Sequence, residues 1–185
     1  MKIFVISDTH GKTDKVIEVW NKLSNVDLVI HLGDYEQDAK YLEKVFETEV
    51  ISVKGNMDGS RSKEDYEILE TEYGKLLLLH GHMDHVKMSP LNLIYRAQEL
   101  DCKAVLFGHT HQAAYEEVDG IYLVNPGSLT QPRDGSSGSY AIINTEPDAF
   151  HCAIVYYSAM TPPAKPKKTA PRGRLSSMLN YSDRF

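Results

Sequence analysis

The chain has 185 residues, of which 42% are hydrophobic, 25% are charged and only two are cysteine. This length and composition suffice for one domain with a real core and argue against a second domain. The formal net charge of −6 excludes a general electrostatic attraction to nucleic acids or anionic membranes. Any phosphorylated ligand must therefore be attracted locally.

The first half of the chain alternates between predicted strands and helices. Apolar runs predict strands at 3–6, 28–30, 51–53, 76–79 and 104–107. Helical spacing of apolar residues predicts a helix over 13–24, with Thr13 or Asp14 as its cap. It also predicts a helix through 39–46, and one that Ser89-Pro90 opens and that runs to Leu100.

The second half reads mostly as strands joined by Gly or Asp turns. The predicted strands are 66–73, 75–79, 113–118, 121–124, 139–144 and 150–157. Two sheets flanked by helices fit this pattern best. We place one domain at 1–158 and a basic, proline-rich tail at 159–185 that is predicted to be disordered. The alternative to a solvated tail without function is a tail that contacts RNA, an acidic partner or a membrane surface.

Signals for secretion or membrane insertion are not visible in the sequence. Met1 begins almost directly in a predicted strand, and no apolar run approaches the ~20 residues that span a bilayer. Cys102 and Cys152 lack Cys-x-x-Cys spacing. The sequence predicts a cytoplasmic protein in a reducing compartment, with no membrane partner.

Five predicted strands are each followed by Asp, His or Asn beside Gly. Because ligands bind at the carboxyl ends of strands in open sheets, five polar strand ends indicate one site. Its residue types are those of a metal site. The five segments are Ser7-Asp8-Thr9-His10-Gly11, His31-Leu32-Gly33-Asp34, Lys54-Gly55-Asn56-Met57-Asp58, His80-Gly81-His82 and Gly108-His109-Thr110-His111.

Each segment alone also has an ordinary structural explanation. Asp8 and His10, one residue apart at a strand end, project to the same side, as do His109 and His111. Gly-Asp and Gly-Asn pairs are often simple turns, and a histidine after four leucines is often a core residue bonded to a carbonyl. Asp34 has two carboxylate oxygens and can bridge two cations ~3.5–4 Å apart. All five segments together favour a dinuclear metal site.

The set Asp-x-His, Gly-Asp, Gly-Asn-x-Asp/Glu, His and Gly-His-x-His resembles the signature of the calcineurin-like metallophosphoesterase superfamily. The resemblance covers residues 1–157. The short length, with Gly-Asn-Met-Asp and Asn125-Pro126-Gly127-Ser128, is similar to the small prokaryotic YfcE/YsnB-type phosphodiesterases. It implies an α/β fold: a four-layer αββα sandwich of two mixed β-sheets flanked by helices.

The resemblance also implies the ligands of two divalent ions. One ion would be bound by Asp8, His10 and His111, the other by Asn56, His80 and His109, with Asp34 bridging both. Mixed nitrogen and oxygen ligands suit Mn²⁺, Fe or Zn²⁺, and the resemblance favours Mn²⁺, with Ni²⁺ and Mg²⁺ left open.

The expected activity is hydrolysis of a small or nucleotide-like phosphodiester. Two cations lower the pKa of a shared water from 15.7 toward ~7 and so give a hydroxide nucleophile. A phosphomonoesterase, a nuclease acting on nucleic acid, or a non-enzymatic scaffold like the similar subunit of the retromer coat are alternatives. The acidic charge disfavours a nuclease, and no expected ligand is missing, which disfavours a scaffold. A homo-oligomer is left open.

Met57 is a departure from the wider superfamily, in which many members have a histidine there that protonates the leaving group. A thioether cannot donate that proton, so His82 or His85 are candidates for the general acid and for substrate contact. His82 could equally orient a ligand, and His85 could be a solvated side chain. Asn56 and Arg133 are further candidates for substrate binding.

The remaining polar residues of these segments have less specific interpretations. Asp58 either orients a ligand or closes a turn. His31 is interpreted as a packing residue, or as one that supports a neighbouring ligand, rather than as a ligand itself. The backbone amides of the loop Asn125 to Ser128 either hold phosphate or orient a ligating histidine; otherwise the loop is simply a tight turn. His151 is interpreted as structural.

Overall fold

A computed structural model describes residues 1–59 and 66–158 of the chain. Three helices and ten strands are found in these ranges. Their order is β1 (Lys2–Ile6), α1 (Asp14–Trp20), β2 (Leu28–His31), α2 (Glu36–Phe46), β3 (Val50–Ser52), β4 (Tyr66–Glu70), β5 (Lys75–Leu79), α3 (Leu91–Glu99), β6 (Cys102–Phe107), β7 (Ala113–Val118), β8 (Ile121–Pro126), β9 (Ser139–Glu146) and β10 (Ala149–Tyr156).

The strands form two mixed sheets of five strands each. In the first sheet the order is β10-β9-β1-β2-β3, with β1, β2 and β3 parallel and β9 and β10 antiparallel. In the second the order is β4-β5-β6-β8-β7, with β5, β6 and β8 parallel. The parallel strands of each sheet end at one edge, so the five polar segments that follow them can meet there.

Successive side chains of the central strands point to opposite faces of their sheet and so belong to different hydrophobic clusters, of which there are three in the described residues. Ile3 and Val5 of β1 face Leu76 and Leu78 of β5 between the sheets. The intervening Phe4 and Ile6 pack under α1 and α2 on the outer face of the first sheet. In the second sheet, side chains such as Leu77 pack under α3. Burial on both faces explains why these strands are continuous apolar runs, and it confirms the predicted four-layer αββα sandwich.

Element boundaries differ from the prediction mainly at chain reversals. Helix α1 ends at Trp20, because the amides of Lys22 and Leu23 bond to carbonyls three residues back and close a tight turn. Thr13 occupies the N-cap position but makes no side-chain capping bond. Strand β4 stops at Glu70, since Thr71 and Gly74 form the hairpin turn. Strand β8 continues through Pro126, so Asn125 is part of the strand.

The predicted tail at 159–185 lies outside the described residues. Within the described ranges, none of the helices has the length and apolar character needed to cross a bilayer. Both cysteines, Cys102 and Cys152, are free.

Candidate metal centre

Asp8 is buried at the end of β1 and has one oxygen fixed and one oxygen free. Oδ2 accepts hydrogen bonds from Ser7 Oγ at 2.6 Å and from the backbone N–H of His109 at 3.0 Å. Oδ1 lies 3.2 Å from Nε2 of His111. The carboxylate is therefore held by one oxygen while the other points into the site.

Four of the predicted ligands form one tight cluster. Asp8, His10, Asp34 and His111 each offer an atom that lies within 4.8 Å of the other three. The Nε2 atoms of His10 and His111 are 3.3 Å apart. Nδ1 of His111 donates to the carbonyl of Gln131 at 2.7 Å, which leaves its Nε2 for a ligand. The cluster contains the predicted ligands of one ion together with the predicted bridge.

His80 and His109 extend this cluster on the side of the second sheet. Nδ1 of His80 donates to the carbonyl of Leu32 at 2.6 Å, and its Nε2 lies 3.4 Å from Asp34 Oδ1. The ring centroids of His80 and His109 are 5.1 Å apart. Asn56 is exposed on the loop that follows β3. In the same loop the N–H of Met57 donates to Asp34 Oδ1 at 3.0 Å.

Two buried ligand atoms have no hydrogen-bond partner within the described part of the chain. They are Oδ1 of Asp8 and Nε2 of His80, which are 3.9 Å apart. An unsatisfied buried polar group is costly, and more so when it is charged. A divalent cation at this point would satisfy both atoms, so the residues present fit a metal ion.

The pKa values of Asp8, His10 and His109 favour the protonation states that bind metal, whereas that of His111 does not. Burial alone would raise the pKa of Asp8, but the close approach of His111 and the charge of His80 outweigh burial and lower it. Burial lowers the pKa of His10, and burial with the nearby charges of His80 and Lys87 lowers that of His109 to about 4. Burial opposes a charge on His111, yet its contact with Asp8 raises the pKa. A metal ion must displace that proton.

The backbone is strained at the same residues. Five predicted ligands adopt the left-handed region, which non-glycine residues rarely occupy and which costs of order 1–3 kcal/mol at each position. Two glycines allow the segments to approach, because a β-carbon at Gly55 would collide with Asp34 and one at Gly108 with Ser7 and Asp8. The five φ values are 55° at Asp8, 50° at His10, 57° at Asp34, 67° at His109 and 58° at His111.

Asp58 connects two segments of the site. Its Oδ1 accepts the backbone N–H groups of Tyr35 at 3.0 Å and Glu36 at 2.7 Å, at the start of α2, and its Oδ2 accepts the N–H of Gly55 at 2.8 Å. Asp58 thus both closes its turn and fixes the loop that carries Asn56. The sequence left these two roles as alternatives.

A buried hydrogen-bond chain connects the first two segments, and the sequence analysis missed it. His31 Nδ1 accepts the N–H of Gly33 at 3.3 Å, so its Nε2 donates to Thr9 Oγ1 at 2.9 Å. Thr9 donates in turn to Asp38 of α2 at 2.6 Å. Burial lowers the pKa of His31 to about 4, which keeps it neutral. The position of Thr9 in the sequence could have indicated this chain, since Thr9 lies between Asp8 and His10, the two predicted ligands of its segment.

The Asn125 to Ser128 loop orients the site through hydrogen bonds. Nδ2 of Asn125 donates to the carbonyl of Gly108 at 2.9 Å, and Oγ of Ser128 donates to the carbonyl of Asp8 at 2.9 Å. These side chains therefore hold the segments that carry Asp8 and His109, and the N–H of Gly127 donates to Asn125 Oδ1 at 2.9 Å within a tight turn.

The candidates for substrate contact lie at different places around the cluster. The His82 ring is 5.5 Å from that of His80 and 6.2 Å from that of His109. Arg133 is exposed, and its backbone N–H donates to the carbonyl of His111 at 2.9 Å. His85 is exposed and lines a cavity of about 310 Å³ with Met88, Ser89 and Asn92. His85 thus lines this cavity and is not one of the four residues of the tight cluster.

Comparison with known proteins identifies the class. Residues 1–148 match the family model of the calcineurin-like phosphoesterase superfamily domain. The chain belongs to this superfamily. It is 37% identical over 150 residues to the probable metallophosphoesterase YsnB of Bacillus subtilis, covering 80% of this chain and 87% of YsnB.

One further relative and one solved structure support the same superfamily. The phosphodiesterase MJ0936 of Methanocaldococcus jannaschii is 33% identical over 147 residues, with 69% of this chain and 83% of that protein covered. The crystal structure of a predicted phosphoesterase from Streptococcus pneumoniae superposes with a TM-score of 0.71 at 30% identity, covering 84% of this chain and 88% of that one. These findings confirm the resemblance and support a phosphoesterase activity.

Proposed function

We propose that this protein is a phosphodiesterase with two divalent metal ions. One ion would be bound by Asp8, His10 and His111, the other by Asn56, His80 and His109, with Asp34 bridging. The observation that carries the proposal is the pair of buried, unpartnered atoms, Asp8 Oδ1 and His80 Nε2, which both lie beside Asp34. Two divalent ions there would supply an activated water at neutral pH and positive charge for the phosphate oxygens.

The ligand set suits an anionic substrate. Its negative charge comes from two carboxylates, Asp8 and Asp34, and its other members are an amide and histidines, which bind metal in their neutral form. Two divalent ions would therefore keep excess positive charge at the site, although the chain as a whole carries −6. The name of MJ0936 supports a diester, and the mixed donor set suits Mn²⁺. We further propose that the substrate is small or nucleotide-like. We also propose that the protein acts in the cytoplasm.

Side chains around the ligands have proposed roles in binding and proton transfer. His82 lies beside both His80 and His109 and is the candidate for protonating the leaving oxygen. Arg133 adjoins His111 and is the candidate for binding a phosphate oxygen. Asn56 would contact substrate as well as metal. His85 would contact only a substrate that extends to the cavity beside it.

The test compares bis(4-nitrophenyl) phosphate with 4-nitrophenyl phosphate, using chelator-stripped protein with and without added Mn²⁺. We expect Mn²⁺ to restore diester cleavage and the diester to be preferred. Asp8→Asn and His109→Ala should each remove the activity, because each deletes one proposed ligand. His151→Ala is the matched control, since His151 is exposed on β10.

Other outcomes separate the alternatives. Preferential cleavage of the monoester would replace the proposal with a phosphomonoesterase. Stoichiometric metal binding without hydrolysis of either ester, or of a short oligonucleotide, would support a binding scaffold. If the protein bound no metal, the proposed centre would be wrong.

A further inference from the structure

Tyr35 directly follows the proposed bridging residue and has a backbone conformation that is unusual for tyrosine. Its φ of 82° and ψ of 69° lie in the left-handed region. Asp, Asn and His occupy this region several-fold more often than other non-glycine residues, whereas a bulky residue there is an outlier. Such strain concentrates at ligand sites, where surrounding contacts maintain it.

The contacts that maintain this conformation do not involve the tyrosine ring. Asp58 accepts the backbone N–H groups of both Tyr35 and Glu36. The N–H of Asp38 also donates to the carbonyl of Tyr35 at 2.9 Å. These hydrogen bonds would persist with asparagine at the same position, and asparagine would carry less strain. The fold therefore does not explain why the side chain is aromatic.

The ring lies on the rim of the metal centre. Its centroid is 5.5 Å from that of His10, with the two planes at 70°. The ring lies beside Gly11, where an added β-carbon would approach Cε1 to 3.6 Å. The residue is 38% exposed, and it does not belong to the three hydrophobic clusters of the described residues. Part of an aromatic surface is thus presented to solvent one residue from the proposed ligands.

We propose that Tyr35 is an aromatic platform that stacks against a nucleobase or aryl group of the substrate while the phosphate lies at the ligands. This inference rests on the proposed phosphodiesterase function and narrows its substrate class to esters that carry an aromatic group. An aryl ester or a nucleotide has its ring within a few bonds of phosphorus, which suits a platform that contacts His10. Stacking tolerates different rings, because every base has a π-face.

The test measures binding, so it does not depend on turnover. Calorimetry on Mn²⁺-loaded protein would compare phenyl phosphate with methyl phosphate, and thymidine 5′-monophosphate with 2-deoxyribose 5-phosphate. Each pair shares the phosphate and differs in the aromatic ring. We expect the wild-type protein to bind the aromatic member about tenfold more tightly, the lower part of the range for one stacked ring.

Three variants separate stacking from structural damage. Tyr35→Asn should lose the aromatic preference while its melting temperature stays equal or rises, because asparagine relieves the strain. Tyr35→Phe should keep the preference within about twofold, since the ring remains. Tyr41→Leu is the matched control, because Tyr41 is an exposed tyrosine of α2, the helix that begins directly after Tyr35.

The inference is overturned if the wild-type protein does not prefer the aromatic probe, or if Tyr35→Asn keeps the preference. Failure of the proposed function would look different. In that case the wild-type protein would hydrolyse no phosphodiester, whatever its preference among these probes.

Discussion

His80 and Asp34 meet at the centre of the site: Nε2 of His80 lies 3.4 Å from Oδ1 of Asp34, and both residues are buried. Asp34 therefore faces the histidine of the second sheet as well as Asp8, His10 and His111 of the tight cluster. A carboxylate between two groups of ligand atoms would be placed to bridge the two cations of the proposed centre.

Asp34→Asn tests this bridge. The amide has one neutral oxygen in place of two charged ones, so we expect diester hydrolysis to fall at least about 100-fold. Elemental analysis should show fewer than two bound ions per chain. Asp148→Asn, at an exposed turn, is the control and should change neither quantity. Unchanged metal content and turnover in Asp34→Asn would contradict the bridging role.

Metal removal should lower the stability of the fold. The unpartnered atoms of Asp8 and His80 gain a partner when an ion binds, and a ligand at 100 times its Kd stabilises by about 2.7 kcal/mol. For a domain of this size we expect the melting temperature to rise by about 5–10 °C when Mn²⁺ is added to stripped protein. Calorimetric melting of Asp8→Asn should show a much smaller rise. An equal rise in the variant would place the stabilising ion elsewhere.

Met57→His should restore a proton donor next to the site. Met57 is 57% exposed, and its N–H is bonded to Asp34, so a histidine there would lie near a bound phosphate without disturbing the core. General acids contribute typically 10²–10⁴-fold. With an unoptimised donor we expect about a tenfold gain in kcat for a diester with an alkyl leaving group, and no gain for 4-nitrophenolate. Met57→Ala is the control, and an equal gain there would rule out proton donation.

Asp58→Ala should destabilise the site and the protein together. The change removes the acceptor of three backbone N–H groups that join α2 to the loop of Asn56. Because water can replace part of each bond, we expect a loss of about 2–4 kcal/mol in the free energy of unfolding, measured by urea denaturation. Asp58→Asn keeps one acceptor oxygen and should lose less. A variant as stable as wild type would mean that other contacts hold this loop.

His31 should make the metal-free protein less stable in mild acid. Its pKa is about 4 in the folded protein and 6.5 when unperturbed, so the unfolded chain binds the proton more readily. Its stabilising contribution is complete above pH 6.5, falls as the pH drops toward 4, and reaches a total loss of about 3 kcal/mol. His31→Gln keeps a donor and an acceptor without titrating. We would measure the free energy of unfolding of the wild-type protein and of His31→Gln as a function of pH. The difference between the two should follow this profile, and a difference that does not change with pH would refute it.

The strands and the ligand candidates were predictable because both depend on local patterns. The run Ile3 to Ile6 is buried on both faces, and burial on both faces leaves a continuous apolar run in the sequence. The superfamily signature relates Asp8, Asp34 and His109 to one site independently of the tertiary structure. Helix and strand ends were less accurate, since they depend on the turn that follows, as at Trp20 and Glu70.

The sequence by itself determined the fold class, the superfamily and the residues that converge at the sheet edges, because hydrophobic period and ligand spacing are properties of neighbouring residues. Tertiary structure decided which atoms are held and which are free. The bonds from Asp58 to Tyr35 and from Thr9 to Asp38 join residues more than 20 positions apart. No local pattern encodes such contacts, since they exist only after the two sheets and α2 have packed.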